Sequence, residues 1–277
     1  MNQPSTIPAT VGSLPVPGAL LHHEVRGQGP LVVLVGAPMD ARSFEPLACL
    51  LAEDHTVLTT DPRGINRSPL DDPDQDSTPE LRAGDLARLL THLDAGPAVV
   101  LGSSGGAVSA LALVQSRPEL VRAVIAHEPP LLALLDDRER LLAGTDDIVA
   151  THRSGDVTGA WKKFLAQANI FLPEGAFEQM FGGPREPQDI ADDHFQHAHM
   201  LRGTVSWDAD LAALRAASPR VLIGLGEQSR GQLCERTSVA LAARLGVEPT
   251  LFPGGHIGFA ETPGEFDTRL RAVLAAL

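Results

Sequence analysis

Hydrophobic residues in this chain fall into two kinds of pattern. "LVVLVG" (31–36), "PAVVLG" (97–102) and "RVLIGLGE" (220–227) are apolar at almost every central position. Such runs fit strands covered on both faces, as in a parallel sheet between helix layers. Around them, "SFEPLACLLAE" (43–53), "ELRAGDLARLLTHLD" (80–94), "GAVSALALVQS" (106–116) and "SVALAARLG" (238–246) space their apolar residues near the helical period. "ALLHHEV" (19–25), "HTVLTTDPRG" (55–64) and "LVRAVIAHE" (120–128) read as further strands, and "RGQGP" (26–30) is a turn whose glycines supply unusual dihedrals. The alternation predicts an α/β fold: a mostly parallel twisted sheet with helices on both faces, built from right-handed crossovers.

One interval breaks the rhythm. Between "AHEPP" and "SPRVLIGLG" the connection far exceeds the roughly two to six residues usual there. It contains helix-like pieces, "GAWKKFLAQANIFL" (159–172) and "DDHFQHAHMLRGTVSW" (192–207), so an inserted helical element is expected. The predicted division is a core of residues 1–130 and 219–277 with a helical cap over 131–218.

Composition narrows the function classes. A chain of 277 residues is long enough to bury a large core without staples. The formal net charge of −13 disfavours nucleic acid and anionic lipid as partners, leaving a small-molecule substrate. Cys49 and Cys234 have no disulfide-framework or metal-type spacing and read as core thiols in a reducing compartment. With no basic leader and no apolar run of about 18 residues, a cytoplasmic, non-membrane protein is expected.

The chemistry centres on "AVVLGSSGGAVSALAL" (98–113). A strand ends here, a helix begins, and Gly102-Ser103-Ser104-Gly105-Gly106 fits G-x-S-x-G with Ser104 central. In such a bend the central residue is strained, and its neighbours two positions away must be small. The serine oxygen rises above the sheet edge, and the Gly105 N–H lies at the positive end of the helix, where an oxyanion is favoured. Ser103 would face elsewhere. The stretch lacks the lysine of a P-loop and the spacing of a dinucleotide fingerprint.

With this junction, "DPRGINRS" (61–68) and "PGGHIGFAETPGEF" (253–266), the chain resembles the α/β-hydrolase fold family nearly end to end. "DPRGINRS" is similar to the family's D-x-R-G-x-G-x-S, with Asn66 in place of a glycine. Asn is the next most tolerant residue of left-handed backbone. "PGGHIGFAETPGEF" is similar to the family's histidine loop, and the insertion occupies the position of its lid.

A serine hydroxyl needs a base, and His256, after Gly254-Gly255 and before the last helix, is placed to supply one. For the acid, the resemblance points to Glu128, with Glu227 as the alternative. The family's commoner Asp after "VLIGLGE" is absent, leaving Glu227 near that position and Ser229 where the acid would fall. A minority of relatives carry the acid one strand earlier, where Glu128 stands before Pro129-Pro130. By the same resemblance the Ala37 and Gly105 amides would form the oxyanion hole, although the usual His-Gly is here Val35-Gly36. The expected activity is a serine esterase or thioesterase for a small apolar acyl compound, requiring no metal or organic cofactor. A non-hydrolytic enzyme of the fold (perhydrolase, oxygenase or lyase) or a silent binding protein is the alternative. His194 and His197, three apart, could share a helix face and bind a metal, though polar residues lining a lid are the simpler account.

Overall fold

The computed structural model describes residues 7–277 apart from 174, 182 and 184, and the side chains of 179–181 also lie outside the description. Eight strands form one sheet: β1 (Thr10–Val16), β2 (Ala19–Arg26), β3 (Leu31–Val35), β4 (Thr56–Thr60), β5 (Ala98–Ser103), β6 (Val121–His127), β7 (Arg220–Gly226) and β8 (Thr250–Phe252). Their order is β1-β2-β4-β3-β5-β6-β7-β8. The β1/β2 and β2/β4 pairs are antiparallel and every pair from β4 to β8 is parallel. Sequence pattern does not separate β1 from the Pro-rich residues around it. It carries Gly12 and Pro15 and survives as an edge strand, where a missing N–H is tolerated.

The fully apolar strands are central because both of their faces are covered. On one face α2 (Pro79–Leu93) and α3 (Gly105–Ser116) pack with Val33, Val35, Val100 and Val124. On the other, α1 (Ala41–Leu51) contributes Phe44, Leu47 and Leu51 beside Val32, Leu34, Leu101 and Ile125. The period-two alternation of a strand therefore sorts its residues between two cores, each apolar.

Between β6 and β7 runs a series of helices: α4 (Arg138–Arg153), α5 (Val157–Ala168), α6 (Ala176–Phe181), α7 (Pro187–Phe195), α8 (Leu201–Val205) and α9 (Leu211–Ala216). The stretch read as one helical piece over 192–207 is broken: α7 ends at Phe195, and Gln196–Met200 widens into a π-helical turn before α8. The chain closes with α10 (Leu233–Leu245), α11 (Gly258–Glu261) and α12 (Pro263–Ala275). Pro263 opens α12, where its fixed φ suits the first turn. Phe259 and Phe266 join the α1 core, holding the loop that carries His256 against the body of the molecule.

One buried cation ties α8 to the two helices, α2 and α3, packed on one face of the sheet. Arg82 on α2 donates to Ser109 Oγ of α3 at 2.8 Å and to Thr204 Oγ1 of α8 at 2.9 Å. Nearby, Arg63 makes a bidentate pair with Asp85, 2.6 Å at each contact.

Candidate active site

The chain turns from β5 into α3 through Ser104, which has φ +55° and ψ −124°. A non-glycine residue holds this conformation only where its surroundings over-determine it. They do so here. The Ser104 N–H donates to His127 O at 2.9 Å, and Ser104 O accepts from Ala107 N at 3.0 Å. A β-carbon on Gly102 would lie 2.8 Å from Ala107 Cα, and one on Gly106 would lie 2.6 Å from Gly36 Cα. Both glycines are required by backbone contact. Gly105 is tight against Ala37: a β-carbon there would strike Ala37 O. As the first residue of α3, Gly105 has an N–H with no intrahelical partner.

Ser103 points away from this site. It is fully buried, and its Oγ lies 3.2 Å from His127 Nδ1. His127 in turn sits among Phe252, Phe259 and Phe266, and burial drives its pKa down to about 4. It is a neutral imidazole at ordinary pH.

Glu128, at φ +53°, follows directly and turns the chain out of β6. Its side chain is completely buried. One carboxylate oxygen accepts from Gly226 N at 2.8 Å, and the other lies 2.6 Å from His256 Nδ1. Burial alone would raise its pKa. The hydrogen bond with His256 and the nearby imidazoles outweigh burial and hold the group at about 2, with the buried Ser229 hydroxyl adding to the effect. Gly226 lets the histidine loop approach, since a β-carbon there would sit 2.8 Å from Gly255 O. His256 is about a quarter exposed, and together with Ser104 it lines one cavity. Glu227, the other acid the sequence left open, is exposed, and its N–H is bonded to Phe252 O at 2.9 Å. The structure thus brings Ser104, His256 and Glu128 to one place and leaves Glu227 on the surface.

The cavity wall is largely apolar: Leu132, Ile148, Ile170, Leu201, Val205 and Leu233 are joined by Phe164. Of the aromatic residues between β6 and β7, Phe164 reaches the cavity. Phe195 and Trp207 are buried elsewhere, Phe171 is 86% exposed, and the Phe181 side chain lies outside the described residues. Cys234 is more than a core thiol, because it lines the cavity with ligand atoms of Glu128 and His256 within 4.8 Å. Burial and the Glu128 charge push its pKa up, keeping the thiol protonated. No sequence spacing signalled this approach, which arises only when α10 packs on β7, the strand next to β6. Cys49 is half-buried on α1.

The histidine-rich stretch forms a different cluster from the expected one. His197 pairs with Asp193 at 3.1 Å and stacks on His152 with centroids 4.4 Å apart and planes 4° apart. The Asp193 carboxylate is also engaged by Arg185 Nη1 at 2.8 Å and Trp161 Nε1 at 3.0 Å. One ligand atom each of His152, Asp193 and His197 lies within 4.8 Å of the others, with the Asp193 carboxylate already engaged by Arg185 and Trp161. His194 lies 5.6 Å from His152, ring to ring.

Comparison with known proteins agrees with this architecture. Residues 31–268 match the model of a family described as "Alpha/beta hydrolase family". The chain is 34% identical over 270 residues to the uncharacterized hydrolase YraK of Bacillus subtilis (strain 168), covering 95% of each. It is 30% identical over 228 residues to 2-(acetamidomethylene)succinate hydrolase of Mesorhizobium japonicum, covering 79% of this chain and 78% of that one. The structure of a thermophilic esterase from Thermogutta terrifontis superposes with a TM-score of 0.71 at 20% identity, covering 97% of this chain and 98% of that one. The strand order, the strained bend at Ser104 and the family match over most of the sequence lead to one statement of identity: this chain belongs to the alpha/beta hydrolase family.

Proposed function

We propose that this protein is a serine hydrolase that cleaves a carboxylic ester or thioester of a small, neutral, mainly apolar acyl compound through an acyl-enzyme. One observation carries the reading: His256 Nδ1 lies 2.6 Å from a fully buried Glu128 carboxylate, and the same imidazole shares a cavity with Ser104. In this reading Glu128 fixes the tautomer that leaves Nε2 free to take the Ser104 proton, and it stabilises the imidazolium that forms. Ser104 Oγ attacks the substrate carbonyl. The Gly105 and Ala37 amides donate to the oxyanion, and the imidazolium returns its proton to the leaving group. Water, deprotonated by the same histidine, then releases the acid.

The substrate side of the proposal rests on the wall. Among the described residues no Lys, Arg, Asp or Glu lines the cavity, and apolar groups dominate it. An acidic substrate, such as the succinate named for the Mesorhizobium relative, would find no cation to pair with its carboxylates.

A fluorophosphonate probe tests the assignment. Prompt labelling of Ser104 is expected, absent in Ser104→Ala and slowed at least a hundredfold in His256→Ala. Folded protein that takes up no probe would instead be a silent binding member of the family.

A further inference from the structure

Besides Ser104 and His256, the wall of the cavity carries a polar pair, and three residues of two helices are fitted to make it. Gln167 on α5 donates from Nε2 to Thr145 Oγ1 on α4 at 3.0 Å, and Thr145 Oγ1 donates to Leu141 O at 3.0 Å. The threonine has one proton and gives it to that carbonyl. Its partner must therefore be a donor, which fixes the amide with nitrogen toward Thr145. The amide oxygen then rests over Gly144, in space that a β-carbon there would occupy. Glycine weakens a helix interior, and Gly144 stands in the middle of α4. Alanine would suit the helix better but would expel the Gln167 amide. Thr145 and Gln167 both line the cavity with Ser104 and His256, amid Ile148 and Phe164. The second N–H of Gln167 has no hydrogen-bond partner among the described residues.

Gln167 is half-buried, so a ligand filling the cavity displaces water from its free N–H, which is unfavourable unless the ligand supplies an acceptor. Building on the hydrolase reading above, we infer that Gln167 is a specificity residue. Its free N–H binds an uncharged acceptor oxygen, of an ether, ketone or hydroxyl, carried on the acyl chain several bonds from the scissile carbonyl. The substrate class is thereby an oxygenated neutral acyl compound in place of a plain alkanoate. A carboxylate in that position is disfavoured, since no cation lines the cavity among the described residues.

The test is a series of p-nitrophenyl esters: hexanoate, and isosteric chains in which one methylene at a time is replaced by an ether oxygen. Each kcat/KM is normalised to the ester's rate with hydroxide. At one oxygen position the ether ester is expected to be used at least tenfold better than hexanoate. Gln167→Met should bring that ratio within about twofold of unity. Gly144→Ala should do the same from the other side of the amide, without altering a side chain of the wall, and circular dichroism with unfolding midpoints reports whether each variant is folded. A wild-type ratio within twofold at every position, or an advantage surviving both substitutions, overturns the inference. If Ser104 is labelled by fluorophosphonate while all esters react equally, the donor role alone falls. If no ester reacts and no label is taken up, the hydrolase reading falls and the donor role with it.

Discussion

At the scale of single residues, the site turns on buried groups whose charge states are set by neighbours. Glu128 loses its hydration entirely yet stays ionised, because Gly226 N and His256 donate to it directly. Its folded pKa of about 2 lies below the ordinary 4.5, so its contribution to stability is complete above about pH 4.5 and is lost as the pH falls toward 2. Replacing Glu128 with Gln removes both the charge and the acceptor that selects the His256 tautomer. We expect kcat on an aryl ester to fall by about 10³- to 10⁴-fold, against less than about twofold for the exposed Glu227→Gln. The opposite ranking in steady-state assays would move the acid to Glu227. His127 behaves differently: burial lowers its pKa from 6.5 to about 4, so the unfolded chain binds the extra proton first. Stability is full above about pH 6.5 and declines as the pH falls toward 4. Between pH 7 and pH 4.5 the wild type should lose roughly 2–3 kcal/mol of unfolding free energy through this group, a loss absent in His127→Gln. Urea unfolding at the two pH values measures the difference. Ser104 and His256 could be picked out in the sequence because each stands beside glycines at a strand-to-helix passage. The two glutamates could be ranked, Glu128 first, but not decided, since the choice depends on which strand end faces the histidine loop.

At the scale of elements, the bend between β5 and α3 is set by close backbone contact more than by side-chain bonding. Gly106 and Gly203 both sit in helices, yet their surroundings differ. A β-carbon on Gly106 would strike Val35 O and approach Gly36 Cα, neither of which can rotate away, whereas one on Gly203 would meet nothing within 4 Å. Gly106→Ala should therefore destabilise the protein by roughly 1–3 kcal/mol or more. Gly203→Ala should stabilise it by up to about 1 kcal/mol. Equal denaturation midpoints for the two variants would contradict the account of the bend. The central strands were legible because two-sided burial leaves an uninterrupted apolar run. The left-handed backbone expected of Asn66 is present, at φ +49°. The helices between β6 and β7 were only partly legible. Apolar spacing signals a buried stripe but not whether it faces another helix or a cavity, so Ile148 and Leu201 could not be told from core residues. The π turn at Gln196–Met200 shifts the phase that a regular helix over 192–207 would keep.

At the scale of the whole molecule, charge and cavity act in the same direction. The chain carries a formal net charge of −13, and among the described residues the cavity beside Ser104 has no cationic lining residue to offset it. Charge arithmetic was available from composition. The uncharged wall was not, because it is assembled from residues between 104 and 256 that meet only in three dimensions. A negative field of this kind lowers the local concentration of anionic substrates and leaves neutral ones unaffected, and dissolved salt screens it over about 10 Å at 0.1 M. For a p-nitrophenyl hemisuccinate, kcat/KM should therefore start well below that of the neutral butyrate ester and rise about twofold or more between 10 and 300 mM salt. The butyrate value should stay nearly flat over the same range. Desolvation of the carboxylate in an apolar cavity is insensitive to salt, so screening should narrow the gap between the two esters without closing it. A hemisuccinate rate that falls as salt rises would instead require a cation at the mouth of the site, and would restore acidic acyl compounds as substrates.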